Sequence, residues 1–177
     1  MHRKTSVAHA LHTDPRPSIV SDQGGSITVE WVGDRVLYAR CVGSISKELA
    51  RAHARRFDAM TAGAARISYF SDGSALTRYD MLGRSAFARF VLARPGRFKS
   101  ITLLTADDAV TRVVEPLTQT LAGIVHVTTS REDFELSLLS EAPFALTASI
   151  FQNERRISYE RAAVPLRSSI RPRHPYR

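Results

Sequence analysis

Two hydroxyls, an acid and a glycine meet in one short run of the chain, Ser71-Asp72-Gly73-Ser74, and Thr77 and Arg78 follow closely. Read as a polar turn between a strand and a helix, this run suits three kinds of chemistry. Gly73 lets a backbone approach closely, which favours contact with a protein partner. Ser74 and Thr77 would lie just ahead of a helix whose free N–H groups attract an anion. A phosphate on Ser74 would gain from that dipole and from Arg78, but would be repelled by Asp72 and Asp80. Partner contact, a plain capped turn and a phosphoacceptor at Ser74 therefore stand side by side.

Nothing else in the chain joins this run to make a catalyst. Hydrolysis would need a nucleophile, a base and an oxyanion hole, and no G-x-S-x-G elbow is present. His126 lies within the strand-like IVHVT, and His53 falls between Leu49 and Phe57 on a helical face, so both read as structural histidines. His2, His9, His12 and His174 lie in the expected tails, and no H-x-x-x-H or C-x-x-C pair would hold a metal. Neither phosphate-loop glycine pattern occurs, and Asp107 with Asp108 reads as a helix cap. The reading is of a protein without catalytic residues, metal or cofactor.

The elements that must position the run follow from hydrophobic period and punctuation. ITVEWV and RVLYARCV, joined by Gly33-Asp34, predict a β-hairpin. Ser44 is the expected cap of a helix through ISKELARAHARRFDAM, with Glu48 in its first turn. RISYF is a strand, and a Thr77-x-x-Asp80 capping box opens a helix that Pro95-Gly96 stops. KSITLLT is the next strand. A helix then carries Val110, Val113, Val114, Leu117 and Leu121, with Pro116 inside it as a kink or boundary. IVHVT is the last strand, and Ser130 with Asp133 caps a final helix. The order ββαβαβαβα predicts a single α/β domain: a mixed, mostly parallel sheet with an N-terminal hairpin and helices mainly on one face.

The 177 residues carry a formal charge of +8, and much of it is concentrated at the end. Residues 141–177 hold seven Arg against three Glu, whereas residues 26–140 are only mildly basic. A nucleic-acid partner is therefore expected only through the Arg-rich tail. Residues 1–25 read as a disordered leader, 26–140 as the domain, and 141–177 as an Arg- and Pro-rich extension, disordered from about residue 152. The single Cys41 cannot form an internal disulfide, and no apolar run reaches the roughly 20 residues of a membrane span. A cytoplasmic protein is expected.

The element order and the segment ISYFSDGSALTRYD resemble the STAS domain, the family of bacterial anti-sigma-factor antagonists and their relatives. In that family a strand ends in Asp, followed by small hydroxyl residues and Gly at a helix start that meets a partner and can carry a phosphorylated Ser or Thr. The order here is Ser-Asp-Gly-Ser, which departs from the family and looks like its divergent relatives. By position, Asp72 matches the family Asp and Ser74 is the nearest candidate acceptor. The resemblance implies a non-enzymatic signal-transduction module whose protein partner is a regulatory kinase or an anti-sigma factor. Its contacts would be Asp72, Gly73, Ser74, Thr77 and Arg78. The alternative is a small-ligand or lipid-binding carrier of the same fold, marked by an apolar cavity lined by Phe70, Phe87 or Phe90.

Overall fold

A computed structural model of the chain describes the backbone of residues 17–79, 81–94, 96–106, 121 and 123–145, and the side chains of these residues other than 78, 79 and 81–84. In chain order the elements are β1 (Ser18–Ser21), β2 (Gly25–Gly33), β3 (Val36–Ile45), α1 (Lys47–Met60), β4 (Ile67–Tyr79), α2 (Met81–Leu92), β5 (Phe98–Thr105), β6 (Val125–Thr128) and α3 (Arg131–Glu141). The six strands form one sheet in sequence order. β1, β2 and β3 pair antiparallel, and β3 to β6 pair parallel.

This monotonic order decides where the helices go. Parallel neighbours need crossovers, and crossovers of one hand that advance in one direction place their helices on one face. Accordingly α1 and α2 share a face with Leu37, Ile67, Tyr69, Phe98 and Ile101. α3 follows the last described strand and covers the opposite face, over Val36, Tyr38, Phe70 and Leu104. Alternation along β3 sorts these sets: Val36 and Tyr38 point one way, Leu37 and Ala39 the other.

On the first face Phe57, Tyr69, Phe90 and Phe98 form an aromatic cluster. Phe57 meets Phe90 edge-on at 4.9 Å between centroids and Tyr69 at 5.7 Å. Such pairs contribute about 0.5–1.5 kcal/mol each beyond their buried area. Phe134 plays the corresponding part beneath α3, edge-on to Phe70 at 5.7 Å.

Four expectations need correction. The run from Ser71 to Thr77 is not a turn: β4 continues through it to Tyr79, so the Thr77 capping box does not form. The reason lies in β3, which is itself longer than expected and offers an edge. Arg40 pairs with Asp72, Val42 with Ala75, Gly43 with Leu76 and Ser44 with Arg78, across two register shifts. Gly43 makes this possible, since it has a φ of 77° and any side chain there would collide with the Gly24 carbonyl. Because β3 runs on through Ile45, the cap of α1 is Ser46 and not Ser44, its hydroxyl accepting from Leu49 N at 3.0 Å. Ser18–Ser21, within the expected leader, is an edge strand paired with β2. Its turn is closed by Asp22, whose Oδ1 accepts from the Gly24 and Gly25 amides at 2.8 and 2.9 Å while Oδ2 accepts from Ser46 Oγ at 2.6 Å.

The Ser130 cap is present, with its hydroxyl accepting from Asp133 N at 3.1 Å. The expected helix around Pro116 lies outside the described residues, apart from Leu121 at its end, and so do residues 1–16 and the Arg-rich tail.

Candidate functional site

β5 accompanies β4 only as far as Gly73, which pairs with Thr105 at the end of β5. Beyond that point, among the described residues, β4 is paired on the β3 side alone, and this extension carries Ser74 and Thr77, both exposed. Immediately before it lies Asp72, 1% exposed, on the α3 face of the sheet.

The Asp72 carboxylate is fully engaged. Tyr38 Oη donates to Oδ2 at 3.0 Å, and Arg131 Nη1 pairs with the same oxygen at 2.8 Å. The amide and the hydroxyl of Ser74 donate to Oδ1 at 2.9 and 2.7 Å. Arg131 Nη2 in turn donates to Ser74 Oγ at 2.7 Å. Ser74 thus gives its proton to Asp72 and receives one from Arg131, which fixes its rotamer at the surface. Arg131 is 40% exposed, so one edge of its guanidinium faces solvent beside the hydroxyl, with Glu135 at 3.9 Å.

Electrostatics follow from this geometry. Burial pushes the Asp72 carboxyl upward, but the Ser74 hydroxyl and amide together with Arg131 outweigh it and hold the group below its ordinary range. Burial and then the Asp72 charge raise Tyr38, which remains a protonated donor. Arg131 is raised as well: burial opposes its charge, and Asp72 more than compensates. The ensemble is a neutralised, rigid polar knot. It holds no base poised near neutrality, and Ser74 has a permanent acceptor in a carboxylate that stays charged.

Of the five expected contact residues, Asp72 and Ser74 are joined by hydrogen bonds. Gly73 is buried, and an added Cβ would come within 3.1 Å of the Leu104 carbonyl and of Leu76. Thr77 is exposed two residues beyond Ala75 on the extension, and Arg78 pairs through its backbone with Ser44. Asp72 is therefore a support for the surface and does not itself present a face to a partner. The cation beside Ser74 is Arg131, 57 residues away, a residue that local spacing could not identify. One signal did exist: Arg131 opens α3 in the first turn, where the helix dipole disfavours a cation. A charge in that position has another partner.

The opposite face carries a second feature. A cavity of about 60 Å³ lies between the sheet and helices α1 and α2, lined among others by Cys41, His53, Tyr69, Ser71, Phe87 and Phe90. Phe87 and Phe90 line this cavity, whereas Phe70 faces α3. His53 is 3% exposed, with Nε2 at 2.9 Å from Tyr69 Oη, and Nδ1 has no hydrogen-bond partner among the described residues. Burial, with a smaller effect of Arg94, pushes His53 down to about 4, so it is neutral at pH 7. Burial pushes the Cys41 thiol up to about 12, which keeps it un-ionised, with Ser71 Oγ at 3.9 Å from its sulfur. His126 is exposed on the last strand. Among the described residues no three His, Cys, Asp or Glu side chains converge to hold a metal ion, and no helix is long and apolar enough to cross a membrane.

No protein-family model matches the chain, and no curated protein matches it. Solved structures do. The chain is similar to an uncharacterised protein with a SpoIIAA-like fold from Shewanella loihica PV-4, at 14% identity and a TM-score of 0.49, over 70% of this chain and 92% of that one. It is also similar to an anti-sigma factor antagonist from Mycobacterium paratuberculosis, at 14% identity and a TM-score of 0.44, again over 70% of this chain and 92% of that one.

Proposed function

We propose that the chain is a non-enzymatic regulatory module that docks a protein partner through the one-sided end of β4, at Ser74, Thr77 and Arg78, together with the exposed face of α2. The observation that carries this reading is the clamp on Ser74. An exposed hydroxyl whose donor and acceptor are both engaged, over a buried carboxylate, offers a partner a preorganised polar surface with little ordering left to do. Beyond Gly73 the extension pairs with no described strand on its β5 side, which leaves an edge that a partner can meet by strand addition. A regulatory kinase or an anti-sigma factor is the partner class proposed, in the cytoplasm.

Ser74 is the proposed phosphoacceptor. A phosphate there would keep Arg131 as its counter-charge but would lose the bond to Asp72 and be repelled by it. Modification would therefore open the clamp and weaken docking. The test is affinity capture on the immobilised chain, followed by titration of the captured partner. Ser74→Trp with Arg78→Glu should reduce affinity at least tenfold while the circular dichroism stays unchanged. Undiminished binding of that double variant removes the proposal.

The cavity around His53 favours a second reading, a carrier of a small apolar ligand. Under it, xenon, an apolar probe small enough for this space, should bind wild-type protein and be excluded by Ala50→Leu, a residue of the cavity wall. Equal binding by both proteins would refute it.

A further inference from the structure

Between α1 and α2, on their outer side, lies a cleft of about 370 Å³ lined by Lys47, Ala50, Arg51 and Ala54 from α1 and by Ser85, Ala86, Arg89 and Phe90 from α2, with Arg94 just beyond it. It is distinct from the Ser74 clamp, which belongs to the α3 face. Its floor and its rim differ in kind. The floor is made by Ala50, Ala54 and Ala86 with Phe90, small side chains that leave the groove between the helices open. The rim is made by cations.

The balance of charge at this rim is one-sided. Arg94 is neutralised by Asp58, donating to both carboxylate oxygens at 2.7 and 2.6 Å, and its guanidinium lies 4.7 Å from the centre of the Phe90 ring. Lys47, Arg51 and Arg89 make no ion pair among the described residues. Glu48 points from the same helix but is not part of the wall. Three cations that pair with no described carboxylate thus line a concave site at the start of α1, where the helix dipole adds positive potential. Solvated arginines on a convex helix would repel and spread. Here the three line one groove.

We propose that this cleft binds a small organic phosphate, with the phosphate among Lys47, Arg51 and Arg89 and the organic part on Ala50, Ala54, Ala86 and Phe90. Guanidinium groups match phosphate oxygens in pairs, and the apolar floor selects a phosphate that carries carbon over a bare ion. The site makes the chain a receiver of a soluble metabolic signal on the helical face, whatever binds at β4.

Phenyl phosphate, inorganic phosphate and vesicles of phosphatidylcholine doped with phosphatidic acid serve as three probes of the full chain. Phenyl phosphate should bind at least tenfold more tightly than inorganic phosphate, and its affinity should fall with added salt. Arg51→Glu with Arg89→Glu should abolish that binding. The charge-matched control Arg55→Glu with Arg66→Glu, two exposed cations outside the cleft, should leave it within twofold. Ala54→Trp should block the organic part and bring phenyl phosphate down to the affinity of inorganic phosphate. Equal binding of the two soluble phosphates by wild type, equal loss in the control, or binding to vesicles alone would each overturn the proposal, the last in favour of a membrane surface.

Discussion

The two faces of the sheet are held together by different physics. Beneath α1 and α2 the contacts are aromatic and aliphatic, and the buried His53, hydrogen-bonded to Tyr69, is neutral at pH 7. Beneath α3 the apolar patch is smaller, and the helix is tied down at its two ends by charge. Arg131 holds Asp72 at its start, and Glu141 accepts from Ser68 and pairs with Lys99 at 2.9 Å at its finish. Apolar attraction is non-directional, whereas a guanidinium on a buried carboxylate has a narrow set of satisfying geometries. The first face thus supplies stability, and the second fixes the position of a surface group.

The largest expected effect belongs to the apolar face. Phe57 is fully buried in the aromatic cluster, and Phe57→Ala should cost about 3–5 kcal/mol, read as a lower denaturation midpoint. An equally large loss from the polar side alone would break the contrast between faces.

Next comes the pH response of His53. Its folded value, about 4, lies below the unfolded value of about 6.5, so the unfolded chain takes up a proton first as pH falls. Stability is complete above about pH 6.5 and declines between there and about pH 4, by about 3 kcal/mol in all. In His53→Gln that slope should largely vanish from urea titrations across this range.

On the α3 face Asp72→Ala should cost about 2 kcal/mol, because the buried Tyr38 hydroxyl loses its carboxylate while Arg131, being part-exposed, turns to water. Asp72 also stabilises by its lowered carboxyl. That contribution is present above its unfolded value near pH 4 and disappears as pH falls through the folded one, a window more acidic than that of His53. Ser74→Ala should cost only about 1 kcal/mol and leave the fold intact, yet it should remove partner affinity out of proportion to its stability effect.

Much of the architecture was legible in the chain because period and punctuation agreed. The hairpin at Gly33-Asp34, the strands KSITLLT and IVHVT, and the Ser130 cap all lie where local chemistry places them. The extension of β4 was not legible, since Ser, Asp and Gly between apolar runs have the composition of a turn. What made them a strand is the long partner β3 and the two register shifts, both set far away in sequence. The site was half legible for the same reason. Asp72 and Ser74 are neighbours in sequence, but Tyr38 and Arg131 reach them across 34 and 57 residues. Ser18–Ser21 escaped notice because four residues are too few to display a period.

The central claim, a preorganised docking surface at the end of β4, is tested most directly by hydrogen exchange on the chain alone and with its captured partner. In the free chain, slow exchange is expected for the β4 amides up to residue 73 and, beyond it, for those that bond to β3. The account also predicts added protection on binding at residues 74–79 and along α2. Protection confined to β1, β6 or α3, with residues 74–79 unchanged, would contradict it.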